Sequence, residues 1–510
     1  MRDIVWPLKY VVGLFILACL PCCYEKNSRV ITYPAPDGEG SLSLSTDFKV
    51  TANNKPVDVY RVKVLKPHTW AGGWEKQEYE HASMAYFDFE GIANIKIKAN
   101  ERIDSFKIRP LRHNIEGLAS DSTIEFTLEE PCNLSVELNG NSISNLQLFA
   151  NPPEKNPVKP GDPGVRYFGP GVHFPSDDGI PGAIRVQSNE TIYIAGGAIV
   201  HGMIQTPYHD SVNNVKILGR GILLGERDTA RKSGQVKVGF NGRNIEIKDI
   251  LLIDSYGWVL SVYWCHNVLI DNVKIIAYRP NSDGIDIASS SKVTVKNCYI
   301  RTADDNLVVI NVQYDTTLAD FYGYQDGYYD HYGKLFMDTK HQAFKRNTKN
   351  VKFSDCVLWQ DRDNPDAIHV GWSMRGPQIS DVLFKDIDII HTRGGPKTAQ
   401  LDVDPSWWGD SGTVIKNITF INIYMEDAHG GNIIHLRADP GTIDSVYFEN
   451  IYLVGGDFSK STILRKDEFG FASIDNVTIE NYHAFGEKLN TLDEAKFQLT
   501  NVDSSVASIN

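Results

Sequence analysis

Several large protein classes are excluded by what this chain lacks. Positive charge is not in excess: 51 Lys and Arg stand against 64 Asp and Glu, a formal net charge of −13. A nucleic-acid partner needs a basic footprint, so none is expected. The longest apolar run near the N-terminus, Tyr10 to Ala18, is too short to cross a bilayer. The four cysteines beyond the first two dozen residues, Cys132, Cys265, Cys298 and Cys356, form no Cys-x-x-Cys pair and show no metal-ligand spacing. Gly196-Gly197 and Gly219-Arg-Gly221 are followed by no helix that could hold a phosphate on its dipole. Disorder is excluded too, because 42% hydrophobic residues suffice for a large core.

What is present begins with a targeting pattern. Arg2 and Lys9 flank the short apolar run, and residues 1–23 read as an export segment. Ile16-Leu-Ala-Cys19 resembles a bacterial lipoprotein cleavage box, with Cys19 as the acylated residue. An ordinary secretory signal is the alternative. Either implies an exported protein, periplasmic or lipid-anchored at an outer membrane.

With 510 residues the chain is long enough for two domains. Residues 27–150 hold short, mostly alternating strands: Ser41-Leu-Ser-Leu-Ser45, Val59-Tyr-Arg-Val62, Ile95-Lys-Ile-Lys98, Phe106-Lys-Ile108, Ile124-Glu-Phe-Thr-Leu128 and Leu134-Ser-Val-Glu-Leu138. Period two with turn residues between the runs predicts an antiparallel β-sandwich. Residues 151–164 are Pro-rich, a stiff linker.

Residues 165–500 repeat. The unit is apolar-x-apolar, a polar pair often ending in Asn or Asp, then another apolar residue. It occurs as Val268-Leu-Ile-Asp-Asn-Val273, Val293-Thr-Val-Lys-Asn-Cys298, Val351-Lys-Phe-Ser-Asp-Cys356, Val382-Leu-Phe-Lys-Asp-Ile387, Ile418-Thr-Phe-Ile-Asn-Ile423, Val446-Tyr-Phe-Glu-Asn-Ile451 and Val477-Thr-Ile-Glu-Asn-Tyr482. Recurrence every roughly 25 to 36 residues, with one long gap and no helical period, predicts a parallel β-helix. The Asn or Asp suits a bend in the left-handed conformation, stacked on its neighbours. Cys298 and Cys356 occupy equivalent apolar positions and are expected in the core.

Within this solenoid, Asn281-Ser-Asp-Gly-Ile-Asp-Ile287 and Thr302-Ala-Asp-Asp-Asn306 place Asp283, Asp304 and Asp305 about one turn apart. Stacked carboxylates are costly unless they do proton work or bind a cation. Rungs lie about 4.8 Å apart, so lateral offset is expected to bring two of them into the ~6.5–9.5 Å interval of an inverting glycosidase. The long gap that follows, between Ile310 and Val351, holds Tyr314, Phe321, Tyr322, Tyr324, Tyr328, Tyr329, His331 and Tyr332. A tyrosine-rich insertion beside paired aspartates suits sugar stacking.

These stretches resemble the dextranase/isopullulanase family, glycoside hydrolase family 49, within the polygalacturonase-like β-helix hydrolases. The likeness rests on Tyr167-Phe-Gly-Pro-Gly-Val172, Ile192-Tyr-Ile-Ala-Gly-Gly-Ala-Ile-Val-His-Gly202, Gly219-Arg-Gly-Ile-Leu-Leu-Gly-Glu226, Ser282-Asp-Gly284, Asp304-Asp305, Gly371-Trp-Ser-Met-Arg375 and Ile390-His-Thr-Arg393. It implies an all-β protein, an N-terminal β-sandwich followed by a right-handed parallel β-helix, that cleaves a polysaccharide with inversion and needs no cofactor. Asp304 would be the general acid, with Asp283 and Asp305 activating the water. Asn281 stands where the family more often has Gln and resembles the Asn-Thr-Asp motif of polygalacturonases, whose Gly-His-Gly and Arg-Ile-Lys motifs are missing here.

Other candidate substrate contacts are His369, Trp372, Arg375, Arg393, Lys397 and Tyr324, with Arg437 further along a basic line able to pair with sulfate or uronate. Asp366 suits a solvated turn. Trp407-Trp408, beside Asp402, Asp404 and Asp410, suits an exposed aromatic loop. Two rival functions remain open at this point: a uronate lyase, which needs Ca²⁺ or a base to acidify C5, and a non-catalytic surface glycan-binding protein.

Overall fold

The computed structural model describes residues 28–67, 77–177, 179–206, 211–225, 234–239, 242–311, 347–363, 366–371, 378–395, 399–405, 413–439, 441–466 and 472–510, with no α-helix among them. The alternating N-terminal runs become two sheets. One has six strands, including Val59–Leu65, Tyr79–Glu90, Cys132–Leu138 and Asn141–Asn151. The other has five, including Phe48–Ala52, Ala93–Ala99 and Thr123–Leu128. Their inward residues, such as Val50, Ile97, Phe126, Val136 and Leu148, share one core. Ser41–Ser45 forms only an isolated bridge from Leu44 to Tyr60. Leu44 stays half exposed, while Leu42 packs against the core between the sandwich and the β-helix.

From Val165 onward the strands stack in parallel into a β-helix with three faces. Face one contains Arg243–Lys248, His266–Asp271 and Ser291–Lys296; face two contains Leu251–Ile253, Lys274–Ile276 and Tyr299–Thr302. Face three runs through Leu260–Tyr263, Ile285–Ala288, Leu307–Ile310, Ile368–Gly371, Ala399–Asp404 and Asn432–Ala438. Later rungs join faces one and two in single bent strands, such as Thr348–Gln360 and Gln378–Thr392.

The bend falls on the polar pair of the repeat. Asp355, Asp386, Asn422, Asn450 and Asn481 all have φ near +55. Asn422 donates to Asp386 at 2.7 Å, Asn450 to Asn422 at 2.8 Å and Asn481 to Asn450 at 2.6 Å. Each amide answers the one below it, which satisfies groups that a left-handed corner would otherwise leave open. Inside, Phe353, Phe384, Phe420 and Phe448 stack ring on ring. Cys298 and Cys356 are buried free thiols in that core.

Face two is buried on both sides, hence its unbroken apolar runs Ile222-Leu-Leu224 and Leu251-Leu-Ile253. Its outward side chains Ile222, Leu251, Ile276, Tyr299 and Trp359 pack against Tyr60, Val62, Met84, Tyr86 and Phe149 of the six-stranded sheet. The sandwich therefore lies along the back of the row of turns that leads from face two to face three.

Candidate functional site

That row of turns carries the chemistry. Asp283 lies in the turn before Ile285–Ala288, Asp304 and Asp305 in the turn before Leu307–Ile310, and Asp366 in the turn before Ile368–Gly371. Stacking is close because position 284 is glycine. A Cβ there would meet the Asn306 carbonyl oxygen at 2.4 Å and Ile300 Cγ2 at 2.5 Å.

One carboxylate oxygen from each of Asp283, Asp304 and Asp305 lies within 4.8 Å of the others. The cluster is tighter than the ~6.5–9.5 Å carboxyl separation expected of an inverting pair. Asp304 Oδ2 accepts from the Asn281 backbone N–H of the preceding turn at 3.1 Å and from Arg362 Nη1 of the following turn at 2.8 Å. Its Oδ1 accepts from the Asp305 N–H at 3.2 Å. Asn281 reaches the cluster through its backbone, held at φ 53, while its side chain is exposed.

The groups differ in electrostatics. Burial raises the pKa of Asp304, and Arg362 and the two N–H donors oppose that rise. Asp283 is pushed well above the usual carboxylate range by burial and by Asp286, Asp304 and Asp305. Its Oδ1 is buried with no hydrogen-bond partner among the described residues. Asp305 is raised well above that range by burial, Asp366 and Asp304, against His369 and the Asp366 N–H, which reaches its Oδ1 at 2.6 Å.

The structure adds Asp286 to this group, a residue that no sequence motif singles out. It lies on the outer side of face three, is fully buried, and neither of its oxygens has a hydrogen-bond partner among the described residues. Burial, Asp305 and Asp304 hold its pKa well above normal. The signal was its place between Ile285 and Ile287, which point inward. Arg362, the cation of the cluster, comes from 58 positions after Asp304, and no local pattern marks it.

The next rungs hold a second polar group. His369 faces outward in register with Asp402, which pairs with His435. His369 Nδ1 lies 3.0 Å from both Asp366 and Asp402. Burial lowers the His369 pKa, but bonds to Asp366 and Asp402 outweigh it and leave it well raised. Burial and Asp402 push Asp366 up to about 6, despite His369. Burial would raise Asp402 as well, but His369 and His435 bring it below its ordinary value. Asp366 is thus a bonded member of this network, not a solvated turn residue. Asp402 and Asp404 are buried on the strand Ala399–Asp404, not part of an exposed loop.

Arg393 sits one turn beyond Arg362, half-buried, with Nε and Nη2 lacking a hydrogen-bond partner among the described residues. Burial lowers its pKa. Arg437 pairs instead with Asp404 and Asp439. Trp258 and Tyr263, likewise singled out by no motif, stack at 6.2 Å and pack against the outward Ala288, Val308 and Ile310. Cys19, Tyr324, Trp372, Arg375 and Lys397 lie outside the described residues, as do residues 312–346 and Trp407-Trp408.

Among the described residues, two donor sets have the spacing of a cation site: Asp283, Asp304 and Asp305, and Asp366, His369 and Asp402. The first offers only oxygens, the chemistry of a hard divalent ion. In the structure its positive partner is Arg362.

Comparisons with known proteins bear on the same part of the chain. The family model described as glycosyl hydrolases family 28 matches residues 223–321, the stretch that holds Asp283, Asp286, Asp304 and Asp305. A polygalacturonase of Brassica napus is 29% identical over 127 residues, 22% of this chain and 32% of its own length. A polygalacturonase of Juniperus ashei is 33% identical over 87 residues, 17% of each. The chain therefore aligns with about a third or less of these relatives. Dex49A from Penicillium minioluteum superposes with a TM-score of 0.59 at 15% identity, covering 94% of this chain and 96% of that one. At that identity the likeness is one of fold: the chain shares the β-sandwich and β-helix architecture of Dex49A almost from end to end.

Proposed function

We propose that the chain is a glycoside hydrolase that cleaves a polysaccharide with inversion, its site centred on Asp283, Asp304 and Asp305. The observation that carries this reading is three carboxylates within 4.8 Å beside one arginine. Such a group holds both a proton donor and a charged base at neutral pH. Asp304 donates the proton to the leaving oxygen, and Asp283 and Asp305 orient and deprotonate water. Inversion rests on the family resemblance, not on the carboxylate spacing. His369, Arg393 and the Asn281 region contact the sugar chain, and Arg375, Trp372, Lys397 and Tyr324 are further candidate contacts by sequence. The glycan is a dextran- or pullulan-type α-glucan or an anionic polymer such as polygalacturonate, the latter in keeping with the relatives' names. The N-terminal segment directs export, with Cys19 bearing a lipid.

One observation favours a second assignment within the same reaction. Arg362 and two backbone N–H groups all stabilise Asp304 as an anion. Asp283 has an oxygen with no hydrogen-bond partner among the described residues and a pKa raised well above the usual carboxylate range. In this version Asp283 is the acid and Asp304 the base.

The test is reducing-end release from dextran, pullulan, polygalacturonate and sulfated glycans, with Asp304→Asn in parallel and the first-formed anomer read by NMR. Release that is lost in the variant is the expected result. Products absorbing near the ultraviolet and lost with chelator would replace hydrolysis by elimination. Binding without cleavage would leave a glycan-binding protein. A glycosyl fluoride needs no acid, so whichever Asp→Asn variant retains turnover of it identifies the acid.

A further inference from the structure

The sandwich is joined to the β-helix by buried charges that apolar packing alone does not require. Arg220 pairs with Asp88 and Arg109 with Glu137 and Glu426 across the junction, while Arg301, paired with Asp361 within the β-helix, reaches the sandwich at Asn145. A buried ion pair about breaks even against an apolar contact of equal volume. Its use is then to fix geometry, and only one of these three lies against the catalytic turns.

Arg301 and Asp361 are both fully buried. Arg301 Nε donates to Asp361 Oδ2 at 2.7 Å and Nη2 to Oδ1 at 3.1 Å. Trp359 Nε1 gives Oδ1 a second donor at 2.8 Å, and the guanidinium lies 4.6 Å over the Trp359 ring. On the other side, Arg301 Nη1 donates to Asn145 Oδ1 of the sandwich at 2.7 Å. Asn145 is fixed in turn by Ser135 at 2.9 Å and Gln147 at 2.6 Å, all three buried sandwich residues.

The front of this assembly is the reaction centre. Asp361 precedes Arg362, whose Nη1 bonds Asp304. The Asp361 N–H donates to the Thr302 carbonyl at 2.8 Å, and Thr302 Oγ1 donates to the Asp304 carbonyl at 2.8 Å. Asn306 Nδ2 donates to Thr302 Oγ1 at 2.7 Å and to the Trp359 carbonyl at 3.1 Å. The turns that present Asp304 and Arg362 are thus tied to Asp361 through its main chain, and the Asp361 carboxylate is held by Arg301, which the sandwich anchors at Asn145.

We infer that Arg301, Asp361 and Asn145 are positioning residues, through which the β-sandwich sets the geometry of Asp304 and Arg362 in the proposed hydrolysis. The sandwich is then part of the catalytic machinery, not an independent module. The inference rests on the hydrolase reading for its kinetic arm only.

The test compares Arg301→Lys and Asn145→Ala with Arg109→Lys, which breaks an equally buried interface pair away from Asp304. Lysine keeps the charge but cannot make the bidentate contact. Displacement of reacting groups by about 1 Å can cost about 100-fold. The expected kcat losses are about 100-fold for Arg301→Lys and about 10-fold for Asn145→Ala, with KM within about twofold. Arg109→Lys lowers Tm and leaves kcat of the folded protein unchanged. Hydrogen exchange of residues 302–306 rises in the first two variants and not in the third. Unchanged kcat in folded Arg301→Lys and Asn145→Ala, or an equal loss in Arg109→Lys, overturns the inference. If the wild type cleaves no glycan, the hydrolase reading fails and exchange alone decides. Faster exchange confined to 302–306 supports the clamp, and unchanged exchange rejects it.

Discussion

Two corners of the same solenoid stack polar residues rung upon rung, with opposite results. At the corner between faces one and two, Asn422, Asn450 and Asn481 each donate to the residue below. The ladder is neutral where it is asparagine, satisfied, and repeats with the sequence. At the corner between faces two and three, Asp283, Asp304, Asp305 and Asp366 stack on adjoining turns; burial raises the pKa of each, and neighbouring carboxylates add to the rise for Asp283, Asp305 and Asp366. Stacking in one place closes a hydrogen-bond ladder and in the other concentrates like charge. The first corner stabilises the fold; the second costs stability, which marks it as the candidate site.

The comparison breaks most sharply through Asp304. Asp304→Asn should lower turnover by about 1,000-fold, within the usual range for losing a general acid or base, with Tm little changed. Equal loss from Asn450→Ala would erase the distinction between the corners. Arg362→Gln should lower kcat by about 10- to 100-fold and raise the Asp304 pKa, because it removes the cation that opposes burial. The direction of the pH profile then separates the two assignments. As acid, Asp304 must be protonated, so activity extends to higher pH; as base it must be ionised, so activity is lost from the acid side.

Smaller effects sharpen the contrast in stability. Asn450→Ala should cost about 1 kcal/mol, a typical net hydrogen bond, seen as a lower urea midpoint with kcat unchanged. Asp286→Asn should do the reverse and raise Tm at neutral pH. An acid whose pKa is raised by folding carries no penalty below its unfolded value of about 3.9. The penalty grows as pH rises from there toward the folded value, because the folded state resists losing the proton. The gain from Asp286→Asn should therefore be absent near pH 4 and largest above neutrality. A pH-independent gain would contradict the burial of an unpartnered carboxyl.

Much of the architecture was legible because it is periodic. Val446-Tyr-Phe-Glu-Asn-Ile451 shows inward residues, the bend residue and the next inward residue in one glance, and the structure follows it in Thr442–Leu453. Asp283, Asp304 and Asp305 stood out because two aspartate-rich turns fell one repeat apart. Asp286 did not, since an acidic residue at an outward strand position normally meets water. Arg362 did not, since its partner lies across the tyrosine-rich insertion. Asp366 and Asp402 looked like solvated turn and loop residues, and only His369 between them shows otherwise.

The sequence by itself determined the strand period, the left-handed corners and the rung on which the aspartates fall, because each depends on neighbours a few residues apart. The tertiary structure decided which carboxylates face each other, which one receives Arg362, and that the sandwich clamps the turn beneath them through Arg301 and Asp361. Those choices depend on turns of unequal length stacking side by side, and on which outward face of the helix the sandwich covers. Neither leaves a period in the chain.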